Sequence, residues 1–418
     1  PSGGVVAASY IGELTGYKNV LSLDMGGTST DVAISFGGSP NIVRETRVGY
    51  YPIKASAVDV QSVGAGGGSI AHVPITGALR VGPQSAGAEP GPACYGKGGE
   101  EPTVTDANLV LGHLPPRLLG GEMTLDVDAA KRAVQKIADT MGLSLYQAAQ
   151  GIIDIVNENM FGALRLVSVQ RGYDPRDFAL VAFGGAGPLH VNALSRLTGS
   201  WPAVVPATPG VLSALGFLHS DIRNEAAQTV IRTLNQIEFH ELKEGLLRLA
   251  KQSRAWLTRE GIPPARQRVQ YEMDLRYYRQ GYEFPIRVVP EQFDSAAGFD
   301  RLVADFKEIH ERHYGFNLDS LVEIVNLRAI GIGEVRKVEL HKVDLASVDA
   351  SPAVMEEHQI HFQGGQLATL IYDRGQLRPG HVVKGPAIIT QTDSTTVILP
   401  EHYGKVDEYL NILIWPET

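Results

Sequence analysis

The chain has 418 residues, 37 Lys and Arg against 46 Asp and Glu, a formal net charge of −9 and a pI near 5.8. That acidic balance, with no basic cluster, excludes nucleic acid as a partner, and no apolar run reaches the roughly 18 residues that would predict a membrane-spanning helix. A single cysteine, Cys94, leaves no internal disulfide framework and fits a reducing cytoplasm.

Pro1, Ser2, Gly3 and Gly4 read as a loop feeding a helix over residues 5–14, closed near Gly16. A glycine loop there is either an anion site or a plain helix entry. The sequence begins without methionine, so a fragment or a processed chain is expected.

Two β-rich runs, residues 20–23 and 31–36, are joined by Asp24-Met25-Gly26-Gly27-Thr28-Ser29-Thr30. Paired glycines adopt backbone angles that other residues resist, and successive N–H groups of such a turn can cradle a phosphate. Thr28, Ser29 and Thr30 add hydroxyls, while Asp24 and Asp31 can hold Mg²⁺ directly or through water. The alternative is an ordinary β-hairpin with a polar tip.

Further β-rich runs cover residues 41–51 and 53–63, followed by the glycine-dense stretch 64–70, where backbone can approach a ligand or another backbone closely. Residues 79–97 form a long loop broken by Gly-Pro pairs. In it, Cys94 reads as a small buried hydrophobe, since no base lies near it in sequence. Thr105 reads as a helix N-cap with Asp106 in the first turn. Asp106 is therefore either a capping residue or a group for metal or substrate chemistry. Helices are expected over 128–141 and 144–170, each with an aliphatic stripe at helical spacing.

The fully apolar run 178–183 predicts a buried strand. Gly184, Gly185, Ala186, Gly187 and Pro188 follow at once, then a helix over 189–197. Strand, glycine turn, proline and helix suit the approach of a nucleotide phosphate or ribose. His190 opens that helix as either a metal ligand or a satisfied packing residue. Beyond about residue 223 the character changes. An amphipathic helix is expected over 238–259, a one-sided sheet strand around Val269–Tyr277, a helix over 293–313, and β structure over 321–335, 387–399 and 405–415.

The first turn resembles the Asp-x-Gly-Gly-Thr phosphate loop of the actin, sugar-kinase and heat-shock-chaperone ATPase superfamily. The likeness widens along the chain through VGAGGGSI at 63–70, SAGA-x-PGPACYG at 85–96, PTVTDAN at 102–108, VAFGGAGPLH at 181–190 and PGVLSALG at 209–216. By these segments, residues 1–225 resemble the hydantoinase A/5-oxoprolinase family and residues 226–418 resemble its C-terminal domain. The resemblance implies an α/β fold: a ribonuclease-H-like, nucleotide-binding lobe over 1–225 and an α+β domain over 226–418. It implies an ATP-dependent hydrolase of cyclic amides (hydantoin, oxoproline or lactam type) that phosphorylates a carbonyl oxygen. The family also contains acetone- and acetophenone-type ketone carboxylases, so that activity stays open beside the first.

On this resemblance Asp24, Asp31 and Asp106 are the catalytic candidates. Gly26, Gly27, Thr28, Ser29 and Thr30 would bind phosphate, and Gly184, Gly185 and Gly187 the nucleoside. ATP and Mg²⁺ are the implied cofactors, with Asp24, Asp31, Asp106 and His190 as metal ligands; a transition metal such as Zn²⁺ or Mn²⁺ is the alternative at the last two. The implied partner is a hydantoinase B-like subunit. The family's first lobe has no counterpart here, so a separate polypeptide would supply it, or the chain would be a non-catalytic assembly subunit.

Overall fold

The computed structural model describes residues 1–43, 46–48, 50–53 and 56–417. The expected β runs at 41–51 and 53–63 include residues 44, 45, 49, 54 and 55, which lie outside the described residues. By packing, the chain forms two compact units, Pro1–Leu218 together with Val338–Thr418, and His219–Lys337. The chain thus leaves the first unit and returns to it.

The first unit is built on a mixed nine-stranded sheet. At its centre β1 (Val20–Met25) pairs antiparallel with β2 (Thr30–Phe36), which carries β3 (Val60–Val63) on its other side. On its opposite edge β1 runs parallel to β4 (Ala179–Phe183), and β4 parallel to β5 (Ala203–Val205). All five residues of β4 are buried, as a strand covered on both faces requires. The tail completes this sheet: strand Ile412–Pro416 pairs antiparallel with β5, and His402–Val406 lies beyond it.

Helix α1 (Ser2–Thr15) covers one face, with Ala7, Ala8 and Ile11 packed among Val20, Val181, Phe183 and Val204. It begins three residues earlier than the sequence suggests. Gly3 and Gly4 are buried in its first turn against Ser213, not free in a loop. The other face is covered by α2 (Val104–Val110), α3 (Val127–Met141), α4 (Leu145–Val167) and α5 (Gly187–Thr198), with α6 (Leu212–His219) following β5. Helix α4 stops at Val167, where Ser168 leaves helical geometry and a short 3₁₀ turn runs on to Gly172.

In the second unit the strands Ile222–Thr233, Val322–Gly333, Gln267–Tyr277 and Phe284–Val288 form an antiparallel sheet packed against α7 (Phe239–Arg259) and α8 (Ala297–Tyr314). Met273, Leu275 and Tyr277 lie in its core as the alternation predicts. The opposite face is not simply solvated: Asp274 is buried there, bridged by Arg328 at 2.7 Å and by Asn326 at 2.8 Å.

Asp106 and His190, both selected from the sequence, are core residues. The N-cap of α2 is Thr103, two residues before the expected Thr105, because Thr103 and Asp106 form a reciprocal capping box. Asp106 is fully buried. Its carboxylate accepts from the backbone N–H of Ala93 at 3.2 Å, Cys94 at 2.8 Å and Thr103 at 3.0 Å, and from the Thr103 hydroxyl at 2.7 Å. It ties the long loop to α2. Burial and the adjacent Asp106 push the Cys94 thiol far up, so it stays protonated, as a small buried hydrophobe would.

His190 is also buried, with Nδ1 2.8 Å from the Asn157 side-chain oxygen and Nε2 without a partner among the described residues. Burial lowers His113 to about 4, and burial with the nearby His113 lowers His190 to about 3. Both imidazoles are therefore neutral in the fold.

Removing the Asp106 carboxylate strands four buried donors, so Asp106→Ala should destabilise the first unit by about 3 kcal/mol or more. Urea unfolding measures this, and a loss below about 1 kcal/mol contradicts the tie. The histidines add a pH dependence. An unfolded chain binds their protons near pH 6.5, the fold only well below it, so stability should fall as pH drops from there toward 4. The slope is up to about 1.4 kcal/mol per pH unit for each imidazole, and His190→Gln should shallow it in acid urea titrations. An identical slope in the variant would remove His190 from the account.

Candidate nucleotide site

The site is built at the carboxyl ends of three adjacent parallel strands. Parallel pairing sets Asp24 of β1 beside Phe183 of β4, so the bends after β1 and β4 leave the sheet side by side. Their backbones are joined: the Ala186 N–H donates to the Met25 carbonyl at 3.0 Å. Gly184 has φ +78°, and a Cβ there would fall 2.4 Å from the Met25 carbonyl oxygen and 2.6 Å from Asp24 Oδ1. Only glycine fits. The loop after β5 joins them, with the Gly184 N–H donating to the Pro209 carbonyl at 3.0 Å.

Below the first bend lies the glycine-dense segment. The N–H groups of Gly67 and Gly68 donate to the carbonyls of Gly26 and Gly27 at 3.0 and 2.6 Å. A Cβ on Gly66 would fall 2.6 Å from the Thr28 backbone, so the contact is backbone on backbone. With both carbonyls turned inward, the other side of the bend carries N–H groups. Among the described residues those of Gly27, Thr28 and Ser29 donate to no protein acceptor, and the space above Gly26 and Gly27 is open. Successive N–H groups of this kind form an anion-binding concavity.

Asp24 and Asp31 stand directly opposite each other across β1 and β2. Asp24 Oδ2 accepts from the Ser213 hydroxyl at 3.1 Å, and Asp31 accepts from the Ser62 hydroxyl. Burial, and secondarily Asp31, hold the Asp24 carboxyl above its ordinary range, against the Ser213 hydrogen bond. Two half-buried carboxylates beside an anion cradle suit a hard divalent cation shared with phosphate oxygens and water.

Asp24, Asp31, Gly26, Gly27, Thr28, Ser29, Gly184, Gly185 and Gly187 therefore share one edge of the sheet. Thr30, Asp106 and His190 do not join them. Thr30 is fully buried, its hydroxyl bonded to the Ala65 carbonyl beneath the bend. Among the described residues no group of three or more His, Cys, Asp or Glu is placed to hold a metal. Sequence reasoning passed over Ser62 and Ser213, which orient the two carboxylates, although Ser213 lies in the PGVLSALG segment. It also passed over Asp393, which has no motif around it. From a hairpin tip of the returning tail, Asp393 accepts from the Gly210 N–H at 2.9 Å and from Gln391 Nε2 at 2.7 Å.

Residues 1–226 match the family model described as Hydantoinase/oxoprolinase, and residues 232–413 match Hydantoinase/oxoprolinase C-terminal domain. Among curated relatives, the caprolactamase subunit alpha of Pseudomonas jessenii is 36% identical over 411 residues, covering 96% of this chain and 58% of that protein. The acetophenone carboxylase gamma subunit of Aromatoleum aromaticum is 32% identical over 433 residues, covering 98% of this chain and 58% of that protein. The crystal structure of ATP-dependent caprolactamase from Pseudomonas jessenii superposes with a TM-score of 0.91 at 34% identity, over 100% of this chain and 62% of that one. The chain thus spans about three fifths of the length of these relatives. It belongs to the hydantoinase/oxoprolinase family, with the mixed α/β fold that its ATP-dependent member shares.

Proposed function

We propose that this chain is the nucleotide-binding part of an ATP-dependent enzyme that activates a carbonyl oxygen by phosphorylation, acting on a cyclic amide of hydantoin, oxoproline or lactam type. The observation that carries the reading is the shared edge where the two glycine bends meet beside facing Asp24 and Asp31. In this reading the N–H groups of Gly27, Thr28 and Ser29 hold phosphate, with the Thr28 and Ser29 hydroxyls adjoining. Gly184, Gly185 and Gly187 let the nucleoside approach the backbone, and Asp24 and Asp31 hold Mg²⁺. When bound, that ion offsets charge on the phosphate oxygens.

Phosphoryl transfer asks the protein mainly for positioning and electrostatic stabilisation, which fixed N–H groups supply without reorganisation. A phosphorylated carbonyl oxygen makes the lactam carbon electrophilic: water adds there, the ring C–N bond breaks as the nitrogen takes a proton, and a second water hydrolyses the resulting acyl phosphate to carboxylate and inorganic phosphate. The same activation would serve a ketone carboxylase, and the likeness to the acetophenone carboxylase gamma subunit supports that second reading. The subunit names of the relatives support an assembly, and a hydantoinase B-like subunit is the partner this reading gives the chain. We place the functional division at residues 1–225 and 226–418, in a cytoplasmic enzyme; among the described residues no helix is long and apolar enough to cross a membrane.

In the assembled enzyme, Asp24→Asn should lower ATP turnover by about a hundredfold or more while leaving the melting temperature near that of the parent. Unchanged turnover removes the assignment. Supplying ATP with a lactam, against ATP with bicarbonate and a ketone, separates the two activities by which pair drives ATP consumption.

A further inference from the structure

The returning tail sets one carboxylate against the second glycine bend. Strands Ala387–Thr390 and Thr395–Ile398 pair antiparallel, Thr390 opposite Thr395, and residues 391–394 close the hairpin between them. Within that turn the Gln391 N–H donates to the Ser394 carbonyl at 3.1 Å. Asp393 stands at the tip, half-buried. Its Oδ2 accepts from the Gly210 N–H at 2.9 Å, and its Oδ1 from Gln391 Nε2 at 2.7 Å. The Gln391 amide also reaches the Ala207 carbonyl at 3.4 Å, so the tip is tied twice to the loop after β5.

Gly210 makes room for this contact. A Cβ there would fall 2.5 Å from Asp393 Oδ2 and 2.8 Å from its Cγ, so any side chain would evict the carboxylate. The same loop gives its Pro209 carbonyl to the Gly184 N–H. The Asp393 carbonyl oxygen, in turn, lies 3.6 Å from where a Cβ on Gly185 would stand. The tip therefore abuts the bend along which the nucleoside is placed.

A carboxylate offers about four lone-pair sites over its two oxygens. The bonds from Gly210 and Gln391 leave one open on each oxygen. Among the described residues no Lys or Arg forms an ion pair with Asp393, although its charge acts on the buried Arg374. What matches the pair of open sites is two neutral donors side by side. A vicinal diol supplies them, one O–H to each oxygen, and in a nucleotide that diol belongs to the ribose. The phosphates, being anionic, are repelled from this position.

We propose that Asp393 reads the sugar of the bound nucleotide, accepting from the 2′- and 3′-hydroxyls of its ribose. The proposal rests on the nucleotide reading above and adds to it a residue that tells ribose from deoxyribose. Bonds from a hydroxyl to a carboxylate are stronger than those between neutral groups. The tip is anchored on Gly210 before any ligand arrives, so little ordering remains to oppose them.

Equilibrium titration of the assembled enzyme with the Mg²⁺ complexes of ATP, 2′-deoxyATP and 3′-deoxyATP tests it. Each deoxynucleotide should bind about tenfold more weakly than ATP. Asp393→Asn keeps an acceptor for the Gly210 N–H but loses the charge, and should bring the three nucleotides within about threefold of one another. Gly210→Ala displaces the carboxylate without altering it and should have the same effect, so the test stands even if Asp393→Asn misfolds. Equal binding of all three nucleotides by the parent, or discrimination kept in either folded variant, would overturn the proposal and leave the nucleotide reading intact. Failure of ATP itself to bind the parent would remove that reading and the proposal with it.

Discussion

The site depends on one contact, the stacking of bare backbone on bare backbone under the first glycine bend. Gly67 and Gly68 draw the carbonyls of Gly26 and Gly27 inward, and across each trans peptide this leaves the N–H groups of Gly27 and Thr28 facing the open side. Any side chain on Gly66 would prise the layers apart, and any on Gly184 would strike Asp24 and the Met25 carbonyl. Polarity at this edge is a product of geometry more than of charged side chains. The open side of the bend offers donors because the carbonyls of Gly26 and Gly27 are already used.

Around that contact the parallel order of β1, β4 and β5 brings their following loops to one edge. The tail then buttresses it. Strand Ile412–Pro416 extends the sheet past β5, and the Asp393 tip accepts from Gly210 beside the second bend. A segment far along the sequence is thus part of the wall of a site whose glycines lie in the first half of the chain.

Much of this was legible in the residues themselves. The apolar run of β4, the stripe on α4 and the two glycine bends identified the central elements, because burial on both faces and close approach of backbone leave strong composition signals. The buried Asp106 was not legible as a structural tie. Its position in a helix's first turn fits a cap and a catalytic acid equally, and only the long loop folding over it distinguishes them. Thr30 failed as a phosphate-binding residue for the opposite reason: strand alternation turns its hydroxyl into the core, one position from the half-buried Asp31 face. The return of the tail, and with it Asp393 and Arg374, depends on pairings between residues some two hundred positions apart, which no local pattern encodes.

The most direct measurement is a crystal structure of the assembled protein with Mg²⁺ and a non-hydrolysable ATP analogue. The account predicts terminal phosphate oxygens within hydrogen-bond distance of the Gly27, Thr28 and Ser29 N–H groups, the ion at Asp24 and Asp31, and the nucleoside along residues 184–187. Electron density for the analogue elsewhere, with the first bend still open, would contradict it.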